Sequence, residues 1–548
     1  MKEHPRQGFL ETLRLLAVAV GAVFPLFNGV LPAADRGGTH VTVWDGPGGD
    51  VAASPDYEVV VRSGSKAFQP FTYYSCARPV DKLLDAEGKY IKLSFLGLHS
   101  NEYKRPEDNR DTYAHSWTSF DFAGGPVEVE VRIKRPLDGL TLPLRSCGIL
   151  PSTLGIKGHV VGGNAICFTL HKPAKLAVVL NPNQAFEKLQ AAESKQTFEG
   201  YRNPLFVFAR APETDVPNKN ASGTLVVRPG RAGSVEEFAK ANVIYFEPGV
   251  HDYSQFNAAD PDHYITLHAG QTAYLAGGAY VYGVFSADQR RPAIREMPLL
   301  RGRGTMSGAK QRWSDLPYRT TLEKGVRLDG IQITDPHNHI SHSTAPVRDV
   351  AVVGAWHGNT DGFTREVPAS EPYRGWHLDD CFVMAADTNL KVGGPARVRN
   401  CTVWQLANAE PLWIRNPDGC VVDGLQVIAF NAWPTRQTIN ISRGTVKNSV
   451  FKNITIEAPF VPLLFLMPIG DEGGGPVYED VLFENVTVTT PHIARKSLFG
   501  AQDDGGARAG KVVFRNLVVN GKKVTPENCG DYFDILKGVT VGKEVVFE

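Results

Sequence analysis

The sequence carries no net charge: Lys and Arg number 58 and so do Asp and Glu, with no basic run along the chain. Nucleic-acid binding needs a basic surface, so this balance argues against such a partner. Cysteine is scarce. Seven residues in 548 build no disulfide framework, the odd number leaves at least one thiol unpaired, and no C-x-x-C pair opens a zinc site. Long apolar runs are missing too; the one candidate, from Leu15 to Phe27, is about 13 residues long and too short to span a bilayer comfortably. Helical periodicity is confined to 184–194 and 235–241. What abounds is Gly (54) and Pro (37), spread between short β-branched runs, the composition of many tight turns joining many strands. An all-helical fold is excluded.

Lys2, Arg6 and Arg14 precede the apolar segment, and Leu31-Pro32-Ala33-Ala34 follows it, so residues 1–34 read as an export signal. The expected compartment is secreted or periplasmic, with no membrane contact after export. Between 35 and 211, strand-like runs at 39–44, 57–62, 91–96, 127–133, 166–170 and 176–180 alternate with turns. The run Val127-Glu128-Val129-Glu130-Val131-Arg132-Ile133 has the period of a half-buried antiparallel strand. Several such strands predict a β-sandwich. Residues 212–241 are polar and read as a linker.

From 242 onward a short pattern recurs: an apolar residue, a spacer, Asn or Asp, then an alternating strand. It is present at Leu328-Asp329-Gly330, around Asn400, at Val422-Asp423-Gly424, and around Asn453, Asn485 and Asn516, with the last four intervals 23, 30, 32 and 31 residues. One coil of a β-solenoid has this length. The fold class expected is therefore all-β: an N-terminal β-sandwich, then a right-handed parallel β-helix over 242–548. A jelly roll or a propeller explains the Asn-centred repeat less simply. Cys381, Cys401 and Cys420, spaced 20 and 19 residues apart, are expected to stack as packing thiols in successive coils.

The densest group of acidic and aromatic side chains lies at 356–380: Trp356-His357-Gly358-Asn359-Thr360-Asp361-Gly362 and Trp376-His377-Leu378-Asp379-Asp380. One coil between Asp361 and the Asp379–Asp380 pair would gather three carboxylates on one face. They cannot all ionise without cost, so one is pushed to keep its proton, which supplies an acid beside a base. Glycosidic cleavage requires that pairing. The alternative is that these aspartates cap turns. Around them, Trp356, Trp376, Trp404 and Trp413 could stack on sugars. His337, His339, His342, His357 and His377 could bond hydroxyls, and Lys391 and Arg415 could attract an anionic group.

Asn359-Thr360-Asp361 followed by Asp379-Asp380 resembles the acidic signature of the β-helical glycoside hydrolases, the polygalacturonase type (family 28) and the dextranase type (family 49). Residues 243–251, 272–279 and 300–305 are similar to the opening coils of that clan, and a β-sandwich ahead of the helix resembles the dextranase type. The resemblance implies Asp379 as general acid, Asp361 and Asp380 as base partners, inversion at the anomeric carbon, and no metal or organic cofactor. The G-H-G and R-I-K motifs of the polygalacturonase type are missing, and Asn408-Ala409-Glu410-Pro411-Leu412-Trp413-Ile414-Arg415 follows the acidic pair instead. Asp387, Lys391, Glu410 and Arg415 match no dextranase motif. The expected partner is a polysaccharide or oligosaccharide, a neutral α-glucan such as dextran before galacturonan. Trp356, His357, Trp376, His377, Lys391, Glu410, Trp413 and Arg415 are the expected substrate-binding residues. Two rivals keep the β-helix: a polysaccharide lyase using Lys or Arg, often with Ca²⁺, and a non-catalytic carbohydrate-binding solenoid.

Overall fold

A computed structural model describes residues 39–76, 114–137, 140–183, 201, 203–256, 264–288, 294–308, 323–336, 339–342, 345–354, 360–365, 377–406, 409–415, 417–430, 437–443, 445–468, 478–500 and 510–548. The signal at 1–34, the strand at 91–96 and the helix at 184–194 lie outside them.

Two sheets form the N-terminal sandwich. One has five antiparallel strands, with Val127–Ile133 between Tyr57–Ser63 and Ala165–Leu170. The buried valines of Val127–Ile133 alternate with glutamates, so the charged period in the sequence does mark a strand with one wet face. The other sheet has six strands, and its inner members show no such alternation: every residue of Leu205–Arg210 is buried. That sheet is covered on both faces. Leu205, Val207 and Ala209 face the sandwich core, while Phe206 and Phe208 face the solenoid. Continuous burial without polar alternation is what a doubly covered sheet demands.

The solenoid begins earlier than the linker assignment placed it. Thr224–Val227 already pairs in parallel with Val243–Phe246, and the helix Val235–Lys240 tucks Phe238 into the core. Ser234 caps that helix, with Glu237 closing a capping box. The first coil of a solenoid has no preceding coil to cover it, so the segment read as linker supplies strand and cap. Among the described residues two long parallel sheets follow, of 20 and 11 strands, all parallel but for one short terminal pairing. Isoleucine, valine, leucine and phenylalanine from both stack inward as one continuous core.

The long sheet turns a corner in each coil, and the corner residue is the Asn of the sequence repeat or, at Asp329-Gly330 and Asp423-Gly424, the glycine after its Asp. Register aligns Gly330, Asp349, Asp380, Asn400, Gly424, Asn453, Asn485 and Asn516. The six non-glycines have φ of 52–57°, the left-handed region that Asn and Asp tolerate best. Asn516 donates its amide to Asn485, Asn485 to Asn453, and Asn453 to Asp423, so the corner is also a hydrogen-bonded ladder.

One residue before the corner, charge alternates from coil to coil: Arg301, Asp329, Arg348, Asp379, Arg399, Asp423, Lys452, Glu484, Arg515. Ion pairs join Arg348 to Asp329 (2.5 Å), Arg399 to Asp379 (2.6 Å), Lys452 to Asp423 (3.3 Å) and Arg515 to Glu484 (3.0 Å). The cysteines divide. Cys381 and Cys401 are aligned neighbours just after the corner, but Cys420 precedes its strand and receives no place in that rung; its N–H donates to Ser449. The three-thiol stack is therefore a pair, because Cys401 aligns with Leu425 on the next coil and Cys420 stands before that position.

Between sandwich and solenoid lies a second core of Trp117, Phe206 and Phe208 against Phe382, Met384, Trp404 and Ile428. Buried in the same junction, Asp335 accepts a hydrogen bond from Ser75 of the sandwich. Burial pushes its carboxyl up to about 7, with the hydroxyls of Ser75 and Thr334 offsetting only part. A folded-state pKa above the unfolded one means the stabilising proton is fully held at low pH and lost as pH rises through about 7. Denaturation midpoints should therefore fall between pH 4 and 8, and Asp335→Asn should flatten that slope and be the more stable form at pH 8. Parallel slopes for the two proteins would refute this.

Candidate active site

Asp361 precedes the strand Phe363–Arg365 of the second, 11-stranded sheet. There Phe363, Leu390, Leu412 and Ile439 are aligned and point into the core. Side chains alternate along a strand, so the next residues, Thr364, Lys391, Trp413 and Asn440, form a column on the outer side. Two residues before the core positions stand Asp361, Thr388, Glu410 and Gln437. Successive rungs are spaced by about 4.8 Å.

The acidic group in this region differs from the expected one. Asp361 is 4 % exposed and accepts from the Lys391 ammonium at 3.3 Å, while its own N–H donates to His339 Nδ1 at 3.2 Å. Asp387 sits on the adjoining coil, its N–H bonded to the Thr360 carbonyl and one carboxyl oxygen accepting from the Thr388 N–H. Glu410, 3 % exposed, lies one coil further and accepts from Asn440 (2.8 Å) and Gln437 (3.2 Å). Trp413 lies between two cations, with Lys391 Nζ at 4.6 Å and Arg415 Cζ at 5.0 Å from its ring centroid. Lys391, Trp413, Arg415, Asp387 and His339 keep part of their surface accessible, and Thr364, Asn389, Glu410 and Asn440 lie beneath.

Five buried polar atoms in these coils have no hydrogen-bond partner among the described residues: Thr360 Oγ1, Thr364 Oγ1, Asn389 Oδ1, Trp413 Nε1 and Asn440 Oδ1. Buried polar atoms are normally satisfied, so a concentration of exceptions beside three carboxylates makes these coils the candidate site.

Asp379 and Asp380 are elsewhere. Both belong to the corner of the long sheet, in register with Arg348 and Asp349 of the coil before. Asp379 is bidentate to Arg399, and Asp380 takes the sandwich lysine Lys175 at 3.0 Å. Asp361 aligns instead with Thr388, a whole strand beyond that corner. The expected trio of Asp361, Asp379 and Asp380 is thus not assembled, and the pair serves the turn and its ion pairs. Lys175 and Arg210 both project from the sandwich sheet toward Asp349, whose carboxyl they hold below the usual range, with Arg303, against the opposing effect of burial. A cleft of about 420 Å³ opens here, lined by Lys175, Arg210, Arg301, Arg303, Asp349 and Asp380. Its charges pair with one another across the junction, which describes a zipper between two units.

Of the expected substrate-binding residues, Lys391, Glu410, Trp413 and Arg415 stand with Asp361. His377 does not: it pairs with Arg397 on the long sheet. Trp356, His357, Trp376 and His337 lie outside the described residues. His342 is in register with Thr364, ahead of the column. Trp404, a possible sugar platform from sequence, is buried in the junction against Tyr201 and Phe206. Asp387 was legible as an acidic residue but not as a site residue. The signal that locates it is the apolar–X–apolar triplet at 390–392, 412–414 and 439–441, which puts Lys391, Trp413 and Asn440 in one outward column.

No family model matches the sequence, and no curated protein matches it. Among solved structures it is similar to Dex49A from Penicillium minioluteum, with a TM-score of 0.61 at 18% identity over 91% of this chain and 98% of that one. It also matches the family 28 exopolygalacturonase of Yersinia enterocolitica, with a TM-score of 0.35 at 10% identity over 77% and 93%. The β-sandwich and β-helix architecture is thus shared with Dex49A along nearly the whole of both chains.

Proposed function

We propose that this chain, folded like Dex49A, is a glycoside hydrolase that cleaves a polysaccharide or oligosaccharide at the outer face of the second sheet. The observation that carries the reading is the juxtaposition of Asp361, Asp387 and Glu410 on consecutive coils with the partly accessible Lys391, Trp413 and Arg415. Sugars are bound by aromatic side chains and by accessible polar groups. An ammonium beside Asp361 favours its charged form, and that charge favours a proton on the neighbouring Asp387. Asp387 is accordingly the acid for the leaving oxygen and Asp361 the base for water. Glu410, with Gln437 and Asn440, holds hydroxyls.

Three carboxylates against Lys391 and Arg415 suit a neutral glycan, an α-glucan such as dextran, better than a uronan. Inversion at the anomeric carbon completes the proposal. Export, by the signal at 1–34, would bring the protein to such a substrate. The test is reducing-end release from neutral α-glucans, galactans, arabinans and uronans, with the anomer of the first product read by NMR. Release from a neutral glucan as the inverted anomer is expected. An unsaturated, absorbing product would identify a lyase, and silence with retained glycan binding would identify a non-catalytic solenoid.

A further inference from the structure

We propose that Lys391 is a positioning residue, which fixes the Asp361 carboxylate for catalysis and does not itself hold the sugar chain. This rests on the hydrolase reading with Asp361 as base. From the sequence alone Lys391 belongs with the substrate-binding residues; the geometry gives it another task.

Its stem rises from the middle of the outward column, and its ammonium is held against two neighbours of the site. Asp361 Oδ2 lies at 3.3 Å, and the Trp413 ring centroid at 4.6 Å. The side chain is 13 % exposed, so little of it faces solvent. An indole face stabilises a cation electrostatically without offering it a proton acceptor, so Trp413 holds the ammonium in place while leaving its hydrogen bond for Asp361.

The surroundings of Asp361 require such a cation. Facing it from the preceding coil is His339; from the following coils come Lys391, Asp387, Glu410 and Arg415. His339 Nδ1 is 3.4 Å from Oδ2 but already accepts the Asp361 N–H, so that nitrogen presents a lone pair to this residue. Two more carboxylates on the next two coils disfavour a charge on Asp361. The Lys391 ammonium, in direct contact at 3.3 Å, opposes them. A compact ammonium also suits the place better than a planar guanidinium, which would need a second in-plane acceptor to use its fork.

In the reaction, water forms the new bond to the anomeric carbon and its proton passes to Asp361. The glycosidic C–O bond breaks as Asp387 protonates the leaving oxygen. Lys391 gives and takes no proton. Its removal therefore weakens the step without removing a substrate contact.

The experiment compares wild type, Lys391→Met and Lys391→Arg on whichever glycan the wild type hydrolyses, with kcat and KM resolved from pH 4 to 9. Lys391→Met is expected to lose about 100-fold in kcat, a fraction of what a general base supplies, with KM within about threefold. Its acidic limb should move to higher pH, because the base now protonates sooner. Lys391→Arg should bring that limb back and recover part of kcat. A rise in KM at unchanged kcat, or an unmoved limb in Lys391→Met, would overturn the proposal and return Lys391 to substrate binding. Thermal melting checks the fold; should Lys391→Met not fold, Lys391→Gln carries the same two readouts. Failure of the wild type on every glycan would instead refute the hydrolase reading, and that outcome is read before any variant is made.

Discussion

Asp387→Asn is expected to lower hydrolysis by about 10³-fold, within the range that one general acid supplies, while Asp379→Asn leaves kcat/KM within about threefold. The amide at 387 keeps an oxygen for the Thr388 N–H but has no proton to give the leaving group. Asp361→Asn should be as damaging as Asp387→Asn, since the Lys391 ammonium would then face a neutral amide. At 379 the loss falls on an ion pair with Arg399, whose side chain is 63 % exposed and well hydrated. Such pairs contribute about 0–1 kcal/mol, so the urea midpoint should move slightly and turnover hardly at all. Initial rates and urea unfolding of the three variants decide the matter. An inactive Asp379 variant beside an active Asp387 variant would return the acid to the aspartate pair.

Phe382→Ala should cost about 3–5 kcal/mol, the usual range for truncating a fully buried phenylalanine where neighbours cannot close the gap. Phe382 has no exposed surface and meets Phe206 at 5.0 Å and Phe208 at 5.3 Å between ring centroids. These partners come from a sheet pinned on its other face by the sandwich core, and Phe382 is itself held in a strand paired on both sides, so collapse into the space is restricted. Chemical denaturation gives the magnitude. A loss below about 1 kcal/mol would mean that the charged zipper around Asp349, and not the apolar junction, holds the two units together.

The architecture was readable because its periods are local. Alternation in 127–133 and the Asn-centred coil repeat each reflect one strand and one turn, and both stand in the structure as expected. The site was half readable. Asp361, Lys391, Glu410, Trp413 and Arg415 do come together, but the acidic pair was misplaced because carboxylate spacing says nothing about which side of a coil each residue occupies. The correcting information was present in the repeat itself. Leu378-Asp379-Asp380 is the same apolar, charged, corner tripeptide as Val347-Arg348-Asp349 and Val398-Arg399-Asn400. Aspartate stands at two corners where asparagine serves most others, because Lys175 and Arg210 approach there from the sandwich. That cause lies some 140 to 205 residues away in the chain, beyond any pattern of local residues.

The alternation of sign along the corner has a consequence for how such a protein can lengthen. If one coil were copied and inserted beside its parent, two like charges would face each other across a single rung, destabilising by roughly the amount an opposite pair contributes. Copying two adjacent coils keeps plus against minus throughout. Growth of the solenoid by duplication is therefore favoured in even steps, and an inserted single coil should survive only if its charged residue is made neutral, because reversing it merely moves the like pair to the next rung.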